Sequence, residues 1–405
     1  MKKKLFTGSM REFAMLVVLV CIIIYFYFFT QGKILNPMNI SNLINQNAYV
    51  VILAIGMLLC ILTGGNIDLS VGSVVAIVGA CCAIFIIEWQ WNVYLSVALC
   101  LLLGTLLGAW QGFWIAYMKI PPFITTLSGM LVFRGATLLI LKGGETIGPF
   151  PQAYQNLFTG FLPDIGEGIT LFGSELNLLA VLVGAAIVAA FCAVQVAGHM
   201  KRRRSGYETY SPLAQTVKLL LISAFVVYLF YKLACFKGIP TVLVLLGVLL
   251  LVYSFFTQKT VPGRHLYAIG GNMKAARLSG VKTEQMLFFA YTNMGFLAAV
   301  AGLVFAARLN SASPVAGQSF EMDAIASCFI GGASAYGGTG TIGGALIGAM
   351  IMGVLNNGMS LMGLSQNLQH VVKGLVLLLA VAFDVMSKGN VTMALPKLRK
   401  KSEPT

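Results

Sequence analysis

An all-α, polytopic membrane fold follows from three features of these 405 residues. Only 10% are charged and 58% are hydrophobic, whereas a soluble domain carries about 25% charged residues. The apolar residues gather in repeated runs of roughly 17–25, the length an α-helix needs to cross a hydrocarbon core. The short alternating segments of an outer-membrane barrel are missing. The net charge of +14 is scattered between the apolar runs, so it reads as a topology signal rather than a nucleic-acid surface.

About twelve hydrophobic segments can be placed, about ten to twelve of them crossing the bilayer. Residues 12–30 form the first. "MKKK" and Arg11 precede it, as in a signal peptide, but the run is too long for a signal's apolar core and lacks an A-x-A cleavage site. Residues 47–64 and 69–87 follow, separated by a polar turn. Residues 93–118 carry "WQGFWIAYMK", and 122–142 enclose Arg134. A stretch rich in Gly and Pro leads to 177–197. The run "KRRR" divides this from 216–235, and 239–257 comes next. Beyond a polar loop lie 284–307, 319–335, 340–360 and 366–387. The 319–335 segment is short enough for a half-helix. An even number of crossings keeps both basic termini on one side, so this segment is expected to cross.

Loop charge sets the orientation. With the N-terminus inside, the inner segments hold most of the 27 basic residues, among them Lys119, "KRRR" at 201–204, Arg264, Lys274, Arg277, Lys282 and the "KLRKK" tail. The outer segments hold few, and Glu145, Asp164, Glu167 and Glu175 share one of them. The expectation is a single transmembrane domain over 1–405 with both termini cytoplasmic. A basic loop, 198–217, and a second loop, 257–283, face inward, and 143–176 faces outward.

That second inner loop contains "GRHLYAIGGNMKAARLSGV", which is polar amid apolar runs. Asn272 can cap a short helix, "MKAARL" favours helix, and Gly280 can end it. Gly270 and Gly271 permit a tight turn into it.

Several polar residues interrupt the spans. "TGGNIDLSVGS" brings Asn66, Asp68, Ser70 and Ser73 between two apolar runs. Asp68 is costly in lipid, so it faces protein or water, either capping the next helix or lining a pathway. "GGASAYGGTGTIGGA" has the same Gly-rich character and raises the suspicion of an internal repeat. Trp110 and Trp114 share one helix face with Gln111 nearby. They form an interfacial aromatic belt or a stacking surface for a sugar. Asn356 and Asn357 either meet solute hydroxyls or join helices. Arg134 and Lys373 snorkel or pair with a carboxylate such as Asp68, Glu321 or Asp323. Gly104, Gly108 and Gly112 recur every four residues, as do Gly340, Gly344 and Gly348, a spacing that lets membrane helices approach closely.

Other chemistry finds no support. There is no G-x-x-x-x-G-K-[ST] loop for ATP. A literal G-x-G-x-x-G at Gly338, Gly340 and Gly343 follows no strand, so it reads as packing and not as a dinucleotide site. The eight cysteines form no C-x-x-C and read as small buried hydrophobes. No metal cluster or nucleophile–base pair stands out, which argues against a membrane-embedded enzyme.

"IDLSVGSVVAIVGA", "LYAIGGNMKAARLSGV", "EMDAIASCFIGGASAYGGTGTIGGALIGA" and "LNNGMSLMG" together resemble the membrane subunits of bacterial ABC importers for monosaccharides. The resemblance runs from "NPMNISNLINQNAYVVILAIGM" to "VKGLVLLLAVAFD". "LLGAWQGFWIAY" and the extra segment around 198–238 look most like the xylose and multiple-monosaccharide permeases. "TGGNIDLS" departs slightly from ribose-type forms. The resemblance implies an architecture like that of the vitamin B12 importer, in the bacterial plasma membrane. It also implies a homodimer of permease copies, cytoplasmic ABC ATPase subunits that bind the ATP, and an extracytoplasmic sugar-binding protein. No cofactor, metal or nucleic acid is implied for this chain, whose only other neighbour is membrane lipid. Gly270, Gly271, Asn272, Ala275, Ala276, Arg277, Leu278, Ser279 and Gly280 would form the element that docks into the ATPase. The expected function is import of xylose or a related pentose or hexose by alternating access. An ion-coupled secondary transporter is the alternative.

Overall fold

The computed structural model describes residues 4–166, 169–171, 174–204 and 212–388. Residues 205–211 of the basic loop and the basic tail lie outside the described residues. Among the described residues the regular structure is helical apart from one antiparallel pair, β1 (Ile169–Leu171) with β2 (Ser174–Leu176). In order, the helices begin with α1 (Lys4–Phe29), α2 (Pro37–Leu62) and α3 (Val71–Ala83), the last extended by a π turn over Ile84–Glu88. There follow α4 (Val93–Ala116), α5 (Pro122–Ile140), the short α6 (Gln152–Phe158), α7 (Leu178–Arg204), α8 (Pro212–Ala234) and α9 (Thr241–Lys259). Two short helices, α10 (Val261–Gly271) and α11 (Met273–Leu278), precede α12 (Thr283–Leu309), α13 (Phe320–Ile330), α14 (Ile342–Leu361) and α15 (Gln366–Lys388).

Among the described residues, nine helices are long and apolar enough to cross a membrane: α2, α3 with its π turn, α4, α5, α7, α9, α12, α14 and α15. α1 and α8 contribute shorter apolar stretches, Met15–Phe29 and Ile222–Ala234. Hydropathy locates these helices better than it bounds them. α2 begins well before residue 47, because Asn36 accepts the N–H of Met38 at 3.1 Å and Pro37 occupies the first turn, where its missing N–H costs nothing.

The helices sort into a centre and a ring. α2 is buried along its whole second half, and α3, α12 and α14 are mostly buried, as helices apolar on every face should be. α4, α5, α7, α9 and α15 keep broad apolar faces outward. α7 and α8 pack on each other through Ala180 and Phe230, in a small cluster apart from the main core. Glycine sets the closest approach at the centre. A Cβ on Gly104 would stand 2.7 Å from the Gly295 carbonyl of α12, and one on Gly108 would stand 2.5 Å from the Tyr291 carbonyl. Gly112 continues the seam against Phe288. Gly344 and Gly348 of α14 lie on the backbone of Gly331 and Ser327, which brings α13 equally close. Gly340 does not extend that helical stripe. It precedes α14 with φ 149, a turn conformation, and packs on Leu58.

α13 has 11 residues. At 1.5 Å per residue it covers about 16 Å, roughly half of a hydrocarbon core. The chain nevertheless passes from one end of the bundle to the other here. Ile147 and Ala312 exchange backbone hydrogen bonds of 3.0 and 2.9 Å at the end where Lys142 pairs with Glu88 at 3.4 Å. Gly338 N–H meets the Leu62 carbonyl at 3.1 Å at the opposite end. Between them, residues 310–319 descend without regular structure. The helix then starts at mid-depth, where Phe320 stacks on Tyr49, halfway along α2, with centroids 3.7 Å apart.

Tyr154 and Asp164 stitch down the segment that runs from residue 143 to 166. Tyr154 of α6 is buried and donates to the Leu303 carbonyl at 2.8 Å. Asp164 accepts N–H groups of Leu179, Ile165 and Leu178 at 3.0, 2.9 and 3.1 Å, which holds its carboxyl below the usual carboxylate range and caps α7.

Candidate functional site

The polar stretch opening at Gly263 folds as two short helices. Thr260 caps α10 by accepting the Gly263 N–H at 3.2 Å. Asn272 caps α11 by accepting the Ala275 N–H at 3.0 Å. Gly280, φ 85, ends it, and Val281 N–H returns to the Ala276 carbonyl at 3.1 Å. Gly270 and Gly271 make no turn, since both are the last residues of α10. Gly270 serves close packing instead. A Cβ there would lie 2.0 Å from the Leu62 carbonyl and 2.2 Å from Gly338 N, while Gly271 faces open space.

That contact makes the junction. The turn after α2 and the turn before α14 also meet each other: a Cβ on Gly65 would strike the Ala335 carbonyl, and one on Gly337 the Gly64 backbone. Tyr267 of α10 donates to the Gly340 carbonyl at 2.9 Å. Asp384 of α15 accepts from Ala335 N–H at 3.1 Å. The two Gly-rich stretches singled out in the sequence are thus packed backbone to backbone, with α10 lying across both.

α11 presents itself outward from this junction. Leu278 is 90% exposed, Met273 and Ala275 are exposed, and so are Arg277 and Ser279. Arg277 Nη2 lies 3.5 Å from Glu284 Oε1 at the start of α12. Ala276 differs from expectation. It is 6% exposed, turned into its own chain, and cannot enter a partner's groove.

At mid-depth stands a charged cluster. Lys373 Nζ lies 3.0 and 3.1 Å from the two oxygens of Asp323, which also accepts the Tyr49 hydroxyl at 2.9 Å and the Asn356 amide at 3.4 Å. α2, α13, α14 and α15 converge there. Asn357 exchanges amide hydrogen bonds of 2.9 and 3.2 Å with Asn39, tying α14 to α2.

The family comparison can now be set beside this geometry. Residues 39–381 match the family described as "Branched-chain amino acid transport system / permease component". The chain belongs to that permease family. It is 39% identical over 380 residues to the xylose transport system permease protein XylH of Escherichia coli K12, covering 94% of this chain and 93% of that one. Against XylH of Haemophilus influenzae the identity is 37% over 385 residues, 95% and 99% of the two chains. Against the E. coli K12 ribose import permease protein RbsC it is 35% over 346 residues, 85% of each. No solved structure matches.

The remaining sequence candidates fall into two groups in this permease. Asp68, Ser70 and Gln111 come together. Asp68 Oδ1 accepts the Ser70 N–H and hydroxyl at 2.8 and 2.7 Å, and the Gln111 amide donates to Ser70 Oγ at 2.6 Å. All three are buried, so they pin the turn and the start of α3 to α4. Asn66 turns back to Thr63 Oγ1 at 3.0 Å, and Ser73 is buried. Trp110 and Trp114 pack edge to face on each other, centroids 6.3 Å apart, and Trp110 also meets Phe133 of α5. Gln111 is not beside them on that surface. Sequence reasoning missed Tyr49 and Asn39. Nothing in a tyrosine or asparagine within an apolar helix signals which distant helix it will face.

Proposed function

We propose that this permease is the membrane subunit of an ATP-driven importer that carries a monosaccharide, xylose or a related pentose or hexose, across the bacterial plasma membrane. The observation that carries this reading is the capped pair α10–α11, lying over both glycine turns with Leu278 bare to solvent. An exposed large apolar side chain on a rigid, capped protrusion suits a partner's groove. Similarity to permeases of xylose and ribose systems over most of the chain supports the solute class.

In this reading α11 faces the cytoplasm with both termini, 143–176 faces outward, and α13 with 310–319 completes an even number of crossings among about twelve segments, in an arrangement like that of the vitamin B12 importer. Two permease copies enclose the path. Two ATPase subunits bind and hydrolyse the ATP, and an extracytoplasmic binding protein delivers the sugar. The chain needs no cofactor of its own. ATP-driven closure of the ATPases displaces α11. α10 passes the displacement to the turns after α2 and before α14, and the population shifts between outward- and inward-open states.

The test is Leu278→Glu, which places a charge where an apolar anchor is required. Uptake by the assembled transporter is expected to fall roughly a hundredfold, in line with loss of an anchor at an interface, while the variant still reaches the membrane. Unchanged uptake with unchanged copurification of the ATPase would remove the docking role.

A further inference from the structure

Residues 310–319 descend as irregular backbone from one end of the bundle to mid-depth, with Gly317 (φ 71) and Ser319 (φ 64) in left-handed conformations. Hydrocarbon cannot satisfy such backbone, which survives only inside protein or against water. Gln318 is exposed on this bend, and Ser319 and Glu321 are half-buried. Arg134 of α5 stands opposite, its Nη1 donating to the carbonyls of Pro314 and Ala316 at 3.2 and 2.6 Å. With Met130 and Leu131 these side chains line an open cavity of about 280 Å³, near the lower limit of small-molecule sites. Glu321 Oε2 rests against Gly72 at the start of α3, where a Cβ would stand only 2.8 Å away.

We propose that this cleft is a solute subsite of the transport path that takes a neutral polyhydroxylated molecule, an assignment that rests on the importer reading above. The charges decide the class. One guanidinium and one carboxylate sum to zero, so a phosphorylated or acidic sugar gains at Arg134 only what it loses at Glu321. A carboxylate accepts from two neighbouring hydroxyls, a guanidinium donates, and the Gln318 amide does both. Met130 and Leu131 offer an apolar wall to the C–H face of a sugar ring. The alternatives suit the cleft less well. Lipid would leave the polar groups unsolvated, and the core of a protein interface is depleted of charge.

The experiment uses the full chain with its ATPase and binding-protein partners in membrane vesicles, and D-xylose, D-ribose and myo-inositol as probes. Gln318→Cys is expected to react with a water-soluble, membrane-impermeant thiol reagent above the background of the parent chain. At least one probe should slow the reaction roughly tenfold, as expected for a ligand that covers the site. Glu321→Gln, which keeps the side-chain volume, and Arg134→Lys should each lower uptake at subsaturating sugar roughly tenfold, the loss of one charge-assisted hydrogen bond, with nucleotide hydrolysis retained. Absence of labelling, a cross-link between two copies of Gln318→Cys that no probe affects, or unchanged uptake in both variants overturns the proposal. A parent chain that moves no monosaccharide, together with probe-protected labelling of Gln318→Cys, instead removes the importer reading and leaves the cleft standing.

Discussion

Asp323 and Lys373 show what a single side chain can decide in this protein. The carboxylate is 1% and the ammonium 14% exposed, and Tyr49 and Asn356 donate to the same carboxylate. Removing one partner leaves the other charged in a buried site, whereas removing both leaves none. Asp323→Asn and Lys373→Met alone should therefore each cost about 3 kcal/mol, and the double variant should recover much of it. Thermal unfolding in nanodiscs measures the difference, and an additive double variant would show that the pair is not coupled. Both charges were legible in the sequence, as rare ionisable residues in apolar runs. Their pairing was not, because 50 positions separate them and Glu321 and Asp68 were equal competitors on paper. The same limit applies to Ala276. Composition places it on a short helix, but only the fold says which face turns inward.

Glycine spacing was the most readable signal for how helices meet. Gly104, Gly108 and Gly112 mark a four-residue seam in the sequence, and the seam is occupied by α12. The partner's Gly295 was hidden, since one glycine in an apolar run carries no period. Gly295→Val should separate α4 from α12, because a Cβ would lie 2.3 Å from the Gly104 carbonyl and 2.6 Å from Gly108 Cα. We expect loss of folded protein on detergent extraction. Gly343→Ala, on the open side of α14 with nothing within 4 Å, should be neutral or stabilising by about 0.5–1 kcal/mol. A similar loss from both would show that backbone freedom, not contact, sets the need for glycine. Helix ends were read less well than helix centres. Apolar runs report the thickness of the bilayer, but caps such as Asn36 and Asp164 decide where a helix begins. Hydropathy leaves 310–318 between two apolar segments, because it cannot distinguish irregular chain at depth from chain at the surface.

Across the bundle, the two ends are chemically unlike. One carries α10 and α11 over the glycine turns; the other carries the stitched 143–166 segment and the Lys142–Glu88 pair. Leu278→Cys and Glu145→Cys should react with an impermeant thiol reagent from opposite sides of intact cells, the first only after the membrane is opened. Reaction of both from outside would refute the proposed orientation. The class of fold, the family and the presence of the capped helix were all visible in the sequence. The meeting of "TGGN" with "GGASAYGGTG" was not, because such a contact depends on how the bundle closes.

That meeting has one more result. Where Gly270 touches Leu62 and Gly338, no side chain stands between the three strands of backbone. A seam without side chains has no rotamers to absorb a push and nothing to compress, so in the proposed cycle a stroke arriving at α11 reaches α2 and α14 undiminished. The drive train and the cargo hold are then separable. Side chains along the solute path can change to suit another cargo without retuning the linkage that moves them.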